Sequence, residues 1–345
     1  MRSLSVITDP IYIKQEFSGL DQFFLKYLKD ERDLPFMYLM LKLFILFVPA
    51  AIIAFTIDNT IWQWWALAGA YSAGLLWYTG PFTLMLHNTS HRPFFKREYK
   101  LGNRFIPWGL CPFMGQSPDT YFSHHIGMHH AENNLEPDLS STMKYQRDSF
   151  IDYMKYFLHF LFLGVLQLIQ YHRQKEKKKF MKQAIIGEIT FIGLWIVLSL
   201  INWKATLLVF ILPTIIVRFA MMSGNWAQHA FIDASTPENN YRNSITCINN
   251  VYNQRCFNDG YHIGHHLKPH MHWTEMPQDF EKNLNKYIAN KAIVFEGIDY
   301  FVIWLWLMLK RYDILAKHFV NIGNTYQSKE EIIALLKERT KRVVR

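Results

Sequence analysis

Histidines fall into short clusters along this chain, and their spacing within each cluster suits the binding of metal ions. Residues three or four apart share one face of a helix, so each cluster can direct its imidazole rings at one point. An asparagine and a histidine with the same spacing form a further cluster. The candidate ligands are His87, His91, His125, His129, His130, Asn225, His229, His262, His265 and His266.

These ten side chains offer more donor atoms than one metal ion needs. Imidazole suits zinc, copper, iron and nickel, and one zinc site takes about four ligands. The set therefore predicts two metal ions, or one ion surrounded by a crowded group of supporting side chains. His124 and His125 could each be the first member of the second cluster. His125 lies four residues before His129 and shares its helix face better, so it is preferred.

Four apolar runs must position these clusters. A helix that crosses a bilayer core needs about 20 apolar residues, within a range of roughly 17–25, and hydrophobic residues make up 50% of the chain. Links of three residues join the runs in pairs, which predicts four membrane-spanning helices in two hairpins. The runs are Pro35–Ile57, Ile61–Leu86, Ala184–Ile201 and Ala205–Met222.

The distribution of charge predicts how these helices are oriented. The net charge is +9, most Lys and Arg lie outside the two short links, and the links are flanked by tryptophans typical of a membrane interface. The positive-inside rule then places both termini and the long segments 87–183 and 223–345 in the cytoplasm. These two segments hold every candidate ligand, so the metal site is predicted on the cytoplasmic side. Three cysteines without CxxC spacing fit that reducing compartment.

Two further apolar stretches are predicted to lie in the membrane interface rather than to cross the bilayer. Phe150–Tyr171 contains charged residues, and if it crossed, Asn225 and His229 would emerge opposite the earlier clusters. Ala292–Leu309 is interpreted in the same way. Phe105–Met114 is too short to span, and its prolines favour a re-entrant or surface segment.

Together these patterns predict an all-α integral membrane fold that forms a single domain over residues 1–345. Four spanning helices and several interfacial helices would be capped by a cytoplasmic helical domain that carries the histidines. Ser328–Arg345 is predicted to be a charged amphipathic helix at the end of that domain.

Other polar side chains could support the metal site, because metal-bound imidazoles need an acceptor for their second ring nitrogen. The acidic candidates for this role are Asp119, Glu132, Glu136, Asp138 and Asp259. His270 and His272 are interpreted either as supporting groups or as ordinary loop residues. The isolated histidines, which are predicted at the surface or the membrane interface, are His159, His172 and His318.

The clusters resemble the histidine boxes of the membrane-bound fatty acid desaturases, a family of integral diiron enzymes. The first two boxes match HxxxH at His87 and His91 and HxxxHH at His125, His129 and His130. The third matches HxxHH at His262, His265 and His266, and Asn225 and His229, spaced as NxxxH, match the family's further ligand pair. The resemblance runs from the first apolar run to about Pro277. It implies that these nine histidines bind two iron ions, with Asn225 holding one iron directly or through water.

The resemblance also implies an activity: the O2-dependent introduction of a C=C bond into a fatty acyl chain carried by a lipid, coenzyme A or a carrier protein. The acyl chain would enter an apolar tunnel, for which Trp108, Phe113, Tyr121 and Phe122 are candidate wall residues. The sequence contains neither the HPGG haem motif nor a GxGxxG fingerprint. We therefore expect a separate electron donor of the ferredoxin or cytochrome b5 type, and a multi-pass location in a bacterial inner membrane or the endoplasmic reticulum.

Two alternatives remain open at the level of sequence. A diiron lipid hydroxylase, or a carotenoid hydroxylase or ketolase, could use the same ligand set. A membrane metal transporter is a different class, although transporters usually place their ligands near the bilayer midplane, where this chain has no histidine. A zinc protease is disfavoured because HExxH is absent. Nucleic acid is not expected as a partner, since no nucleic-acid motif accompanies the positive charge.

Overall fold

The computed structural model describes residues 2–343 and is mostly helical, as predicted. The described chain divides into two compact units. The long-helix unit comprises residues 14–128 and 165–220. The C-terminal unit comprises residues 2–13, 129–164 and 221–343.

Within residues 2–343, helices of very different lengths follow one another, with one pair of short strands. From the N-terminus to the middle they are α1 Gly19–Leu25, α2 Leu34–Thr56, α3 Trp62–His91, α4 Thr120–His124, α5 His130–Glu132, α6 Phe150–Gln174, α7 Lys178–Thr206 and α8 Leu212–Gln228. The rest are α9 Asn240–Asn243, β1 Ile245–Ile248, α10 Val251–Arg255, α11 His262–Leu267, α12 Met276–Lys282, α13 Leu284–Ala289, β2 Ile293–Glu296, α14 Tyr300–Met308, α15 Tyr312–His318 and α16 Lys329–Arg339.

Two helical segments of the described chain are long and apolar enough to cross a membrane, Glu31–Thr56 and Lys178–Gln228. The first contains α2 and most of the first predicted run. The second contains the third and fourth runs, and its backbone leaves the helical conformation at Asn202 (φ −152°, ψ 97°), inside the predicted link. The second run, Ile61–Leu86, forms most of α3. The count of four spans and their pairing stay predictions.

The two predicted links contact each other within the long-helix unit. Asn59 Nδ2 donates a hydrogen bond to Asn202 Oδ1 at 3.4 Å, and Lys204 Nζ donates to Asn59 Oδ1 at 3.1 Å. Asn202 Oδ1 also accepts from the backbone N–H of Ala205 at 3.1 Å, which caps the helical segment that begins there.

The prediction of a strictly all-α fold is corrected by a small sheet in the C-terminal unit. Strands β1 and β2 pair in parallel, with Ile245 opposite Ile293 and Ile248 opposite Glu296. The strand residues are buried, and β-branched side chains such as those of Ile293 and Val294 favour this environment.

The interpretation of Ala292–Leu309 as one interfacial helix is therefore wrong. Its first part is the buried strand β2, and the chain then turns at Gly297, whose φ of +75° favours glycine. Helix α14 begins at Tyr300, where Asp299 caps it by accepting hydrogen bonds from the first backbone N–H groups. A strand cannot be told from a buried helical segment by an apolar run alone.

Three other predicted segments form helical structure. Phe150–Tyr171 lies within the unbroken helix α6, and its place in the interface stays a prediction. Ser328–Arg345 contains α16, which confirms an amphipathic helix that Ser328 caps, with Ile332 and Leu336 buried; Val344 and Arg345 lie outside the described residues. Phe105–Met114 forms two short helical turns that end at Gly115.

Candidate metal centre

Four of the candidate histidines converge within the C-terminal unit. One ring nitrogen from each of His129, His229, His262 and His266 lies within 4.8 Å of the others. His262 Nε2 is 3.2 Å from His229 Nε2 and 3.0 Å from His266 Nε2. Neutral imidazole nitrogens that face each other so closely repel through their lone pairs unless a proton or a cation lies between them. The donor set therefore fits a metal ion that prefers imidazole.

Helix geometry explains how these rings reach one point. His262 and His266 lie one turn apart on α11, so they share a face. His229 follows the last residue of α8, and His129 ends a π-helical turn that begins at His125. Each ligand thus sits on, or next to, a helical end.

Buried acceptors hold the second ring nitrogen of two of these histidines. His129 Nδ1 donates to Asp138 Oδ2 at 2.7 Å, and His229 Nδ1 donates to the backbone oxygen of Asn243 at 2.9 Å. Because these acceptors fix the proton on Nδ1, they leave the Nε2 lone pair free for a metal. Asp138 was among the acidic candidates. Asn243, whose side-chain Oδ1 also lies 3.2 Å from His229 Nδ1, was not identified from the sequence.

Burial also lowers the pKa of two of these imidazoles, those of His229 and His266. It lowers the pKa of His229 to about 4, and the neighbouring His129 adds to the effect. Burial lowers the pKa of His266 well below its usual range, with a further contribution from His262. Metal binding requires the unprotonated ring. The lowered pKa values of His229 and His266 therefore favour a bound metal ion over bound protons.

The side chain of Asn225 is oriented by two partners on neighbouring segments. Its Nδ2 donates to the Ser140 backbone oxygen at 3.0 Å and to the Tyr156 hydroxyl at 2.7 Å. A carbonyl oxygen only accepts hydrogen bonds, so the amide nitrogen must face Ser140. The amide oxygen Oδ1 is thereby left for a metal ion or a water molecule. Tyr156 was not identified from the sequence.

The other candidate histidines form two smaller groups, one in each unit. In the long-helix unit, His91 Nε2 lies 2.9 Å from His125 Nε2, and the rings of His87 and His125 are 4.5 Å apart. Tyr121 stacks on His125. The structure thus brings His125, rather than His124, to this group. In the C-terminal unit, His265 Nε2 lies 2.9 Å from His130 Nε2.

His172 was predicted at the surface or the interface, and this prediction is wrong. Its side chain is fully buried in the long-helix unit. Nε2 donates to the backbone oxygen of Ser123 at 3.1 Å and lies 3.0 Å from the hydroxyl of the same residue. A Cβ added to Gly127 would lie 2.7 Å from His172 Cε1. His172 therefore packs directly against the segment that carries His125.

Three of the remaining polar candidates have structural partners in the described residues. His272 is buried and caps a short turn, with Nδ1 2.7 Å from the Thr274 hydroxyl. Asp119 accepts from Trp108 Nε1 at 2.9 Å. Asp259 accepts from the Tyr252 hydroxyl at 2.7 Å, and burial raises its pKa to about 7. His159 and His318 are half-buried, Glu132 is half-buried, and His270 and Glu136 are exposed.

A cavity of about 430 Å³ opens beside His91 within the long-helix unit. Two of the four predicted tunnel residues, Tyr121 and Phe122, line it, and Trp108 is joined to it through Asp119. The other lining residues are Leu86, Thr89, Ser90, Pro93, Asn103, Pro107, Cys111, Ser117, Lys179 and Gln183. The cavity combines apolar walls with a few polar groups, as ligand pockets commonly do.

Comparison with known proteins identifies one family. The family model described as fatty acid desaturase matches residues 62–297, which is more than half of the chain and includes all ten candidate ligands. No curated protein and no solved structure matches the chain.

Proposed function

We propose that this chain, which belongs to the fatty acid desaturase family, is an O2-dependent desaturase that introduces a C=C bond into an acyl chain. Family membership makes it an oxidoreductase of the diiron superfamily. The observation that carries the proposal is the convergence of the half-buried His266 with the buried His129, His229 and His262, whose facing nitrogens fit a metal ion.

We assign two iron ions to the nine histidines and Asn225. The matched family is generally iron-dependent, and the donor chemistry fits iron. Bound iron would supply the activation of O2 that removes hydrogen from an unactivated methylene, which no side chain can do. In the overall reaction, O2 takes two hydrogens from the acyl chain and two electrons with two protons from outside, giving one double bond and two water molecules.

The chain's own residues prepare the ligands for this reaction. Asp138 holds His129, and the Asn243 carbonyl holds His229, each through Nδ1. Ser140 and Tyr156 orient the Asn225 amide so that its oxygen can bind the metal or a water. Such supporting contacts fix ring orientation and raise ligand basicity.

The substrate is proposed to be a lipid acyl chain that enters the cavity beside His91. Its apolar lining by Leu86, Pro107 and Phe122 suits methylene groups. The carrier of the acyl chain is a lipid, coenzyme A or a carrier protein.

We further propose that residues 1–345 act as one multi-pass membrane domain with four spans in two hairpins. The hydrogen bonds that Asn59 makes with Asn202 and Lys204 support this layout, because they hold the two predicted links together. The family is membrane-bound, and two helical segments could span a membrane. The active site would then face the cytoplasm, in a bacterial inner membrane or the endoplasmic reticulum.

Electrons are proposed to come from a separate ferredoxin or cytochrome b5. The segment 173–179 contains five basic residues and one acidic residue, and it offers positive charge to an acidic donor.

The test is mass analysis of total lipids from a host that supplies an electron donor and expresses the intact chain, the His129→Ala variant or the His318→Ala variant. We expect acyl chains lighter by two hydrogens with the intact chain and His318→Ala, but not with His129→Ala. A gain of one oxygen would identify a hydroxylase instead. An iron-loaded intact chain that leaves every lipid unchanged would contradict the proposal.

A further inference from the structure

Arg147 lies in the segment between α5 and α6 and carries a fully buried guanidinium group. Each of its side-chain hydrogen bonds ends on a backbone carbonyl oxygen. Nε donates to Ala230 at 2.9 Å, and Nη2 donates to Arg339 at 3.0 Å and to Lys341. Nη1 donates to the carbonyls of Thr142, Met143 and Tyr145 at 3.2–3.3 Å.

These carbonyls offset the cost of burying a charge. Burial lowers the pKa of Arg147 to about 9, so the group is still protonated at neutral pH. The last carbonyls of a helix lack intrahelical partners and carry the negative end of its dipole. Helix α8 ends at Gln228, and Arg147 binds the Ala230 carbonyl just beyond it. The guanidinium therefore fixes the chain two residues beyond the C-terminal end of α8.

The same end of α8 carries the candidate ligand His229. Its backbone carbonyl accepts a hydrogen bond from the Thr142 hydroxyl at 2.7 Å. Trp226 Nε1 donates to the Arg147 carbonyl at 2.9 Å. The position of His229 thus depends on the segment 142–147 that Arg147 holds in place.

Residues 339–343, the C-terminal strap, complete this arrangement. Besides accepting from the guanidinium, the Arg339 carbonyl accepts from the backbone N–H of Ile232 at 3.0 Å. The Thr340 carbonyl accepts from the Arg147 backbone N–H at 2.9 Å, and Val343 N–H donates to the Met143 carbonyl at 2.9 Å. The strap therefore binds both the segment that follows His229 and the segment that carries Arg147.

We infer that Arg147 and the C-terminal strap are positioning elements of the metal centre, so that metal retention by His129, His229, His262 and His266 depends on residues 339–343. The identity of the metal rests on the proposed function. The coupling itself rests on two sets of hydrogen bonds: Arg147 binds the carbonyl of Ala230, the residue after His229, and the strap binds Ile232 and Arg147. A purely structural role would stabilise the fold without any coupling to the metal.

Because coupling between two sites is reciprocal, the unmodified protein provides the first test. Hydrogen exchange is measured on the full chain in detergent, metal-free and loaded with Fe²⁺ or with Co²⁺ as a spectroscopic probe. We expect metal to slow exchange at the Ile232 and Val343 amides. Unchanged exchange at both amides in a protein that binds the metal would overturn the inference. An intact chain that binds no metal would overturn the proposed function, and the inference with it.

Variants provide the second test. Arg147→Met should lower metal affinity about 10-fold, as the loss of supporting contacts commonly does, and should change the Co²⁺ absorption spectrum. Arg147→Lys, which keeps the charge but loses the planar fork, should recover only part of the affinity. The control is Arg311→Met, since Arg311 is exposed and pairs with Asp313. A folded Arg147→Met protein with the parent's affinity and spectrum would contradict the inference. If that variant does not fold, the exchange measurement on the unmodified chain decides.

Discussion

Asp138 Oδ2 lies 2.7 Å from His129 Nδ1, and both side chains are buried. Asp138 also accepts from the backbone N–H groups of Ser140 at 2.8 Å and Asn134 at 3.1 Å. These backbone hydrogen bonds fix the position of the Asp138 carboxylate, which in turn orients the His129 imidazole.

The first prediction concerns this pair. Asp138→Asn should lower metal affinity by about 10-fold to 100-fold, because the amide is a weaker acceptor for the His129 ring proton. The measurement is competition with a chelator of known affinity. Glu136→Gln, which changes an exposed carboxylate two residues away, should keep the parent's affinity. Equal affinities for the parent and Asp138→Asn would show that the hydrogen bond does not tune the ligand.

The second prediction concerns His172. Replacing it with Leu removes the N–H that the Ser123 carbonyl accepts in a buried site. An unsatisfied buried acceptor costs about 1–3 kcal/mol, so we expect a lower melting temperature. Because His172 packs against the segment that carries His125, we also expect weaker metal binding through His125. His159→Leu on the same helix α6 is the control, since His159 is half-buried. Equal melting temperatures for His172→Leu and His159→Leu would show that the hydrogen bond between His172 and the Ser123 carbonyl does not contribute to stability.

The third prediction concerns acid sensitivity. The pKa of His229 is about 4 in the folded chain, against a usual value of 6.5. The unfolded chain therefore binds more protons between these values, and folding stability must fall as the pH drops from about 6.5 to 4. The shift corresponds to about 3 kcal/mol. Denaturation of the metal-free protein as a function of pH checks this, with His229→Gln expected to flatten the dependence.

The fourth prediction has the opposite sign. Burial raises the pKa of Asp259 from 3.8 to about 7. Its contribution to stability is fully present below pH 3.8 and is lost as the pH rises through 7, because the buried carboxylate must then ionise. Asp259→Asn should therefore stabilise the protein by roughly 2–4 kcal/mol above pH 7 and hardly at all near pH 4. An equal gain in the free energy of unfolding near pH 4 and above pH 7 would show that ionisation of the Asp259 carboxyl is not the cause.

The candidate ligands could be identified from the sequence because their spacing is local. His262 and His266 must share a face of any helix that contains them, and the structure places them on α11. Contacts between residues far apart in the sequence could not be predicted in this way. The pairing of Ile245 with Ile293 joins distant parts of the chain, and an apolar run does not reveal its partner.

The supporting groups were predictable only where a side chain does the binding. Asp138 could be suspected because a carboxylate close to a histidine cluster is a natural acceptor. The shorter contact of Asn243 with His229 is made by its backbone oxygen, at 2.9 Å against 3.2 Å for its side-chain oxygen. Arg147 binds backbone carbonyls from three segments. Such contacts depend on where the chain runs, not on residue type. His172 was placed wrongly for the same reason, since its neighbours Ser123 and Gly127 lie far away in sequence.

The extent of the family match has a practical consequence for recombinant versions of this chain. The matched residues end at 297, whereas two of the carbonyls that hold Arg147 belong to Arg339 and Lys341. A fragment trimmed to the matched region would keep all ten candidate ligands yet leave the guanidinium short of acceptors in a dry interior. We therefore expect the smallest fragment that retains metal to include residues 339–343, beyond the region that the family model matches. A fluorescent reporter or affinity tag added after the strap is best separated from it by a flexible spacer.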